Sequence, residues 1–296
     1  MRDRSSIITH IRNRLTTAKR VAVVAALVEG NSVRATARMT SVSKPTILKL
    51  LAEFGPVCAA FQDRTIRNVR ARRVQVDEIW QFVYAKAKNV PVEKRETFGY
   101  GDVWTWVALD ADSKLIISDR VGPRNLATAY DLMHDLAERI TNRVQLTTDG
   151  FKVYMEAVES ACYGGIDYAM LSKVYGNLPA AEKRYSPAKI VSMTTEVITG
   201  DPNPKHISTS YAYVERQNLT MRMSIRRFTR LTNAFSKKLE NHAAAISLHY
   251  MHYNFCRVRQ TLRVTPAMQA GLTDRVWDVS EIVALLDAEA ETSQAA

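Results

Sequence analysis

The sequence is poor in the residues that staple or punctuate a chain: its 296 residues include only 3 cysteines, 9 prolines and 11 glycines. Cys58, Cys162 and Cys256 lie far apart with no CxxC pair, which excludes a disulfide framework and a zinc knuckle and predicts core thiols. Long apolar runs are also missing. The strongest, Val21 to Val28, is too short to cross a bilayer and follows Lys19-Arg20 with no small-residue cleavage site, so the protein is expected to stay in the cytoplasm. With 46% hydrophobic and 24% charged residues, the chain is neither fibrous nor disordered. Its length suits one sizeable core and a smaller appended domain.

Acidic residues are scarce overall, and the net charge is +11. Residues 1–73 hold 15 Lys/Arg against 4 Asp/Glu, so the excess lies wholly at the N-terminus. Beyond it, residues 74–214 carry 15 basic and 18 acidic residues, residues 215–263 carry 10 and 2, and residues 264–296 carry 1 and 6. Two basic segments thus surround an acidic middle. Polyphosphate attracts such segments through counterion release, and a net-acidic middle suits carboxylates gathered around metal cations. Solubility alone would not require this segregation.

The first sixty residues read as helices. Lys19 to Glu29 is a helical run ended by Gly30-Asn31; Ser32 can cap Val33 to Met39; Ser43 can cap a third segment with Pro45 in its first turn. This predicts a tri-helical helix-turn-helix whose third helix buries Ile47, Leu50 and Leu51 and offers Lys44, Thr46 and Lys49 to a DNA groove. A small bundle with a solvated basic face is the plainer reading. Residues 61–73 follow as a basic linker, with Arg64, Arg67 and Arg70 placed to track phosphates or simply to face water.

From Val74 the periodicity changes to that of strands: VQVDEIWQFVYAK, VWTWVALDAD and KLIISDRVG, with Asp110 to Ser113 turning the second into the third. A helix over about Asn125 to Ile140 and a strand ending at Asp149-Gly150 follow, then a helix from Phe151 to Ser160. Three antiparallel strands, a helix and a returning strand begin an RNase H-like α/β sheet. Residues 160–208 are hard to read beyond one strand near Lys189 to Met193. Two long helices, Tyr211 to about Arg230 and Ser236 to Arg259, and an acidic helical tail complete the pattern.

Asp77 sits in a strand among apolar residues, an unfavourable place for a carboxylate without a cation or donor. Asp149 ends another strand. Side by side in one sheet, the two would aim hard oxygen ligands at a common point, as Mg²⁺ accepts. A third acid is expected from a helix nearby, and Glu215 is the candidate, with Asn218 and Arg222 one and two turns on along its face. Asp110 and Glu196 compete for that place, while Glu78 is expected on the opposite face of its strand from Asp77. Taken singly, each acid reads as an ordinary surface residue, and Asp-Gly as a turn. His242, His249 and His252 share a helix without a nearby acid and read as structural or DNA-facing. Trp104 and Trp106 alternate in a strand and read as packing residues.

From VDEIW through WTWVALD and TTDG to YVERQN, FSKKLENH and HYMHYNF, about Arg73 to Phe255, the chain resembles the DDE transposases of the insertion-sequence-one type of bacterial mobile elements. The resemblance implies an RNase H-like fold and a triad of Asp77, Asp149 and Glu215 holding two Mg²⁺ or Mn²⁺ ions. It also implies cleavage and strand transfer at the element's inverted-repeat ends. Arg222 falls at the basic position beyond the glutamate, and Asn218 and Arg226 on the same basic helix are expected to touch DNA. Family members often carry an N-terminal zinc-binding element, for which this sequence has no cysteine cluster. The expected layout is a helix-turn-helix domain over 1–60, a linker over 61–73, the catalytic domain over 74–260 and an acidic helical tail over 261–296. Double-stranded DNA and further copies of the chain in a homo-oligomer are the expected partners, with no membrane, on the nucleoid. An integrase or nuclease of the same fold, or a helix-turn-helix repressor, are the alternatives.

Overall fold

The computed structural model describes residues 15–176, 190–229 and 232–295. The first fourteen residues, expected to be helical, Lys189 of the expected strand and Arg230 of the expected helix lie outside them.

Three helices open the described chain: α1 (Thr17–Val28), α2 (Val33–Thr40) and α3 (Lys44–Thr65). Each begins where a hydroxyl can occupy an orphan amide. Thr16 accepts from Lys19 N, Ser32 from Ala35 N and Ser43 from Thr46 N. Ser41 ends α2 in the left-handed region at φ 57°, which turns the chain into α3 within three residues. Ile47, Leu50, Leu51 and Phe54 recur at helical spacing and are fully buried. Each such side chain contributes about 1.5–3 kcal/mol of burial.

The sheet has six strands in the order β3-β2-β1-β4-β5-β6. β1 (Arg73–Val83), β2 (Gly101–Asp110) and β3 (Ile116–Gly122) form an antiparallel meander. Asp110 closes its hairpin, accepting from the amides of Asp112 and Ser113. α4 (Leu126–Arg139) then carries the chain back across the sheet, so that β4 (Gln145–Asp149) pairs parallel to β1. α5 (Val153–Cys162) returns the chain to β5 (Asp167–Tyr175), parallel to β4, and β6 (Ile190–Thr199) closes the edge antiparallel. The poorly legible stretch therefore holds two strands rather than one. β6 hides from a sequence reading because both its faces are exposed over most of its length, leaving no apolar alternation.

α6 (Pro204–Ser224) starts earlier than expected, capped by Asn203 with Pro204 in its first turn. α7 (Leu239–Met251), the short α8 (Pro266–Gln269) and α9 (Val279–Ala295) follow. Val214 N donates to Gln75 Oε1 at 3.0 Å and so fixes α6 against β1.

One hydrophobic cluster runs through α1, α3, β1, β2, α4, α7 and α9, taking in Val23, Phe54, Val76, Trp106, Leu248 and Ile282. The N-terminal helices are thus built onto the sheet's own core. α3 crosses α7 so closely that a Cβ on Gly55 would lie 2.3 Å from Ala244 Cβ. The basic stretch over 61–73 is not a free linker: its first five residues continue α3, Val69 N donates to Arg139 O, and Ile66, Val69 and Ala71 are buried. The acidic tail is likewise attached, with Ile282 and Val283 buried and Asp287 paired to Arg20 at 2.7 Å. Of the three thiols only Cys58 is a buried core group; Cys162 and Cys256 are half-buried. Among the described residues, no helix is long and apolar enough to cross a membrane.

Candidate active site

β1 is eleven residues long and β4 five, and their pairing stops at Gln75 opposite Thr147. Continued two residues, that parallel register sets Asp77 level with Asp149 at the C-terminal end of β4. Neither strand could bring an acid there alone. Asp149 Oδ1 accepts from Phe151 N at 2.9 Å, a turn that folds the chain off the strand. Gly150 follows because Ser172 Oγ of β5 would lie 2.3 Å from any Cβ.

Asp77 Oδ2 accepts from Asn218 Nδ2 of α6 at 2.7 Å. Glu78, the next residue, turns to the other layer, where Tyr154 OH donates to Oε2 at 2.8 Å and Arg124 Nε to Oε1 at 2.6 Å. Strand alternation thus governs which layer each acid packs against. It does not keep the carboxylates apart: oxygens of Asp77, Glu78 and Asp149 lie within 4.8 Å of one another. Strand alternation puts Glu78 on the opposite face from Asp77, yet beyond the end of β4 its longer side chain brings the carboxylate back to the group.

Arg124, in the turn before α4, bridges this group. Its Nη2 reaches Asp149 Oδ2 at 3.5 Å, and its guanidinium lies 3.8 Å from the centre of the Phe151 ring and 5.1 Å from that of Trp104. Sequence reasoning missed Arg124. No motif marks it, since its role depends on the turn after β3 arriving over the ends of β1 and β4. Burial, with the Asp149 charge beside it, pushes the Glu78 carboxyl above its ordinary range despite Arg124 and Tyr154. Burial also raises the Asp149 carboxyl, against the Phe151 amide and Arg124. The one guanidinium the two acids share does not offset their burial.

Glu215 lines the same open cleft, of about 450 Å³, together with Asp77 and Asp149. It is not within the tight acidic group. Its Oε1 lies 2.6 Å from Lys173 Nζ of β5, a lysine whose side chain is 11% exposed. The competitors for third acid sit elsewhere: Asp110 is occupied by its hairpin, and Glu196 is exposed on β6 opposite Met170.

The remaining expected contacts are dispersed. Lys44 and Lys49 are exposed on the first turns of α3, where Lys49 lies 3.9 Å from Glu53, and Thr46 Oγ1 is 2.7 Å from Ser43 Oγ. Arg67 is paired with Asp63 and Glu138, Arg64 lies over Phe61, and Arg70 is exposed. Arg222 lies away from the acids, at a separate cavity, and Arg226 is exposed. His242 and His249 are buried, with burial pushing both down to about 3, so each is a neutral ring in the core. Trp106 packs on Tyr154 inside the core, whereas Trp104 lies under Arg124.

No protein-family model matches the chain, and no curated protein matches it. Solved structures that resemble it include a piggyBac transposase synaptic complex with hairpin DNA, at 13% identity and a TM-score of 0.40, covering 91% of this chain and 69% of that one. A pre-cleavage Mos1 transpososome (10%, TM-score 0.27) and a Mos1 mariner paired end complex with Mn (12%, TM-score 0.26) each cover 80% of this chain, which spans 76% of each of those chains. At these TM-scores and identities the likenesses carry no functional argument.

Proposed function

We propose that the protein is a DNA transposase of the DDE type, acting through an RNase H-like sheet. The observation that carries the reading is the placement of Asp77 and Asp149 at one level on adjacent parallel strands, with Glu215 from α6 on the same cleft. The 3-2-1-4-5 strand order, antiparallel on one side of β1 and parallel on the other, supports the RNase H-like assignment. The confinement of the chain's positive excess to residues 1–73 supports DNA as the partner.

Asp77, Asp149 and Glu215, with Glu78 in reach, would hold divalent ions. The donor set is wholly oxygen, and the raised carboxyls of Glu78 and Asp149 share a single guanidinium, that of Arg124, so Mg²⁺ or Mn²⁺ fits. Two such ions supply an activated oxygen nucleophile and charge compensation for in-line phosphoryl displacement. The chain's residues hold the acids in place: Asn218 orients Asp77, the Phe151 amide orients Asp149, and Tyr154 and Arg124 fix Glu78. Water oxygen attacks phosphorus as the P–O3′ bond breaks and the 3′-oxygen takes a proton. The resulting 3′-hydroxyl attacks a target phosphodiester in the same way. No protein nucleophile is required.

Lys44, Thr46 and Lys49 lie on the first turns of α3, and we assign them to the terminal repeat as the contacts of a recognition helix. The test is a strand-transfer assay with the full chain and duplexes carrying the inverted repeats that flank its gene. Mg²⁺-dependent nicking and joined products, both lost in Asp149→Asn, are expected. Hydrolysis without joining would make the protein a nuclease of this fold, and cleavage that survives Asp149→Asn would overturn the site.

A further inference from the structure

Beyond Asp77, β1 continues past the end of β4. Among the described residues, Glu78 to Phe82 are paired to β2 on one side and have no strand on the other. The end of this overhang is held by the 232–237 segment, where Tyr84 N donates to Ser236 O at 2.8 Å. A cavity of about 670 Å³ opens along it, a size that accepts a small planar ligand.

Its walls are aromatic. Trp80 and Phe82 follow Glu78 on one face of β1, with ring centroids 5.9 Å apart, and Phe235 lies 4.7 Å from Phe82. All three are half-buried, leaving ring surface open. The rim is cationic. Lys237 Nζ sits 3.9 Å above the Phe235 ring, and Arg222 reaches the cavity from α6. Arg227 is the most informative group. Among the described residues its guanidinium partner is a neutral hydroxyl, Ser236 Oγ at 3.0 Å, so a largely buried cation has no anion. Burial pushes it down to about 10.

A second cavity, of about 650 Å³, shares Arg227, Phe235 and Lys237 with the first and extends to Arg34 and Lys44 on the N-terminal helices. These residues form the adjoining wall of the two cavities, and the first is an aromatic trough that reaches Trp80, three residues along β1 from Asp77.

Acids repel a phosphate, and an apolar partner has no use for an unpaired guanidinium. A ligand with flat faces and anions at regular intervals satisfies both walls. We propose that this trough binds a segment of unpaired DNA strand, with a base stacked against Trp80, Phe82 and Phe235 and its flanking phosphates on Arg227 and Lys237. The proposal rests on the transposase reading only for the strand's course toward the acids; binding itself needs neither metal nor cleavage.

The experiment uses the full chain in EDTA and a single-stranded DNA 12-mer with a central 2-aminopurine, followed by probe fluorescence and anisotropy. Quenching of the probe on binding is expected, with none from the fully paired duplex. Phe235→Leu should lose the quench and weaken binding about tenfold. Lys237→Ala, at an exposed position where folding is not at stake, should weaken binding and lower the salt slope by about one ion. Unquenched probe, unchanged affinity in both variants, or tighter binding of the RNA of the same sequence would each overturn the proposal. Because no metal is present, failure of strand transfer leaves this result standing, and failure here leaves the metal-site reading standing.

Discussion

Lys173 Nζ stands 2.6 Å from Glu215 Oε1 in the cleft that Asp77 and Asp149 also line. The lysine occupies the charge that a divalent ion would otherwise satisfy. Lys173→Met should therefore release Glu215 and tighten Mn²⁺ binding severalfold by calorimetry, even if cleavage falls. Unchanged affinity would show that the pair is not in competition with metal.

Glu215→Gln keeps the shape and removes a ligand, so strand cleavage should fall by orders of magnitude while repeat binding survives. Glu196→Gln, on the exposed edge strand, should leave the rate nearly unchanged. Glu78→Gln is the informative third variant. A loss matching that of Glu215→Gln would make Glu78 a ligand in its own right, whereas a small loss would confine it to holding Arg124.

The legibility of these residues differed for physical reasons. Asp77 and Asp149 stand in runs rich in strand-forming residues, and both strands lie within three residues of their expected bounds. β5 and β6 were not separable because β6 exposes Val191, Met193 and Val197 as readily as its polar residues, leaving no pattern to find. Arg124 and Lys173 act through strand order and turn placement, which composition and spacing do not encode. The stretch over 61–73 looked like a linker because its arginines are conspicuous, while three spaced apolar residues anchor it.

Gly55 offers a direct test of the packing between α3 and α7. A Cβ there would lie 2.3 Å from Ala244 Cβ, which is not a flexible group. Gly55→Val should destabilise the protein by about 3 kcal/mol or more, read as a lowered denaturant midpoint. Ala244→Gly paired with Gly55→Ala should recover part of the loss.

Asp119 on β3 gives a pH prediction. Burial pushes its carboxyl up to about 6, against Arg120 and Arg139. The folded state then binds a proton more tightly than the unfolded chain, so this contribution is full below about pH 4 and disappears as pH rises through 6. Asp119→Asn should flatten denaturation midpoints between pH 4 and pH 7 and raise the unfolding free energy at neutral pH by at most about 3 kcal/mol. A wild-type slope that persists in the variant would assign it to another group.

Lys49→Ala should weaken repeat binding without altering binding to the 2-aminopurine strand, since Lys49 lies outside the trough. Equal weakening for both would show that one surface serves both.

The core shared by α1, α3 and the sheet leaves no hinge between the helix assigned to the repeat and the acids assigned to its cleavage. Geometric adjustment then falls to the DNA. B-form DNA turns once in about 10–10.5 base pairs, so adding one base pair between the recognised sequence and the cut rotates the scissile phosphate by roughly 35° about the duplex axis. A rigid protein cannot follow that rotation. Cleavage should thus depend on helical phase, failing with insertions of half a turn and returning in part with those of a full turn.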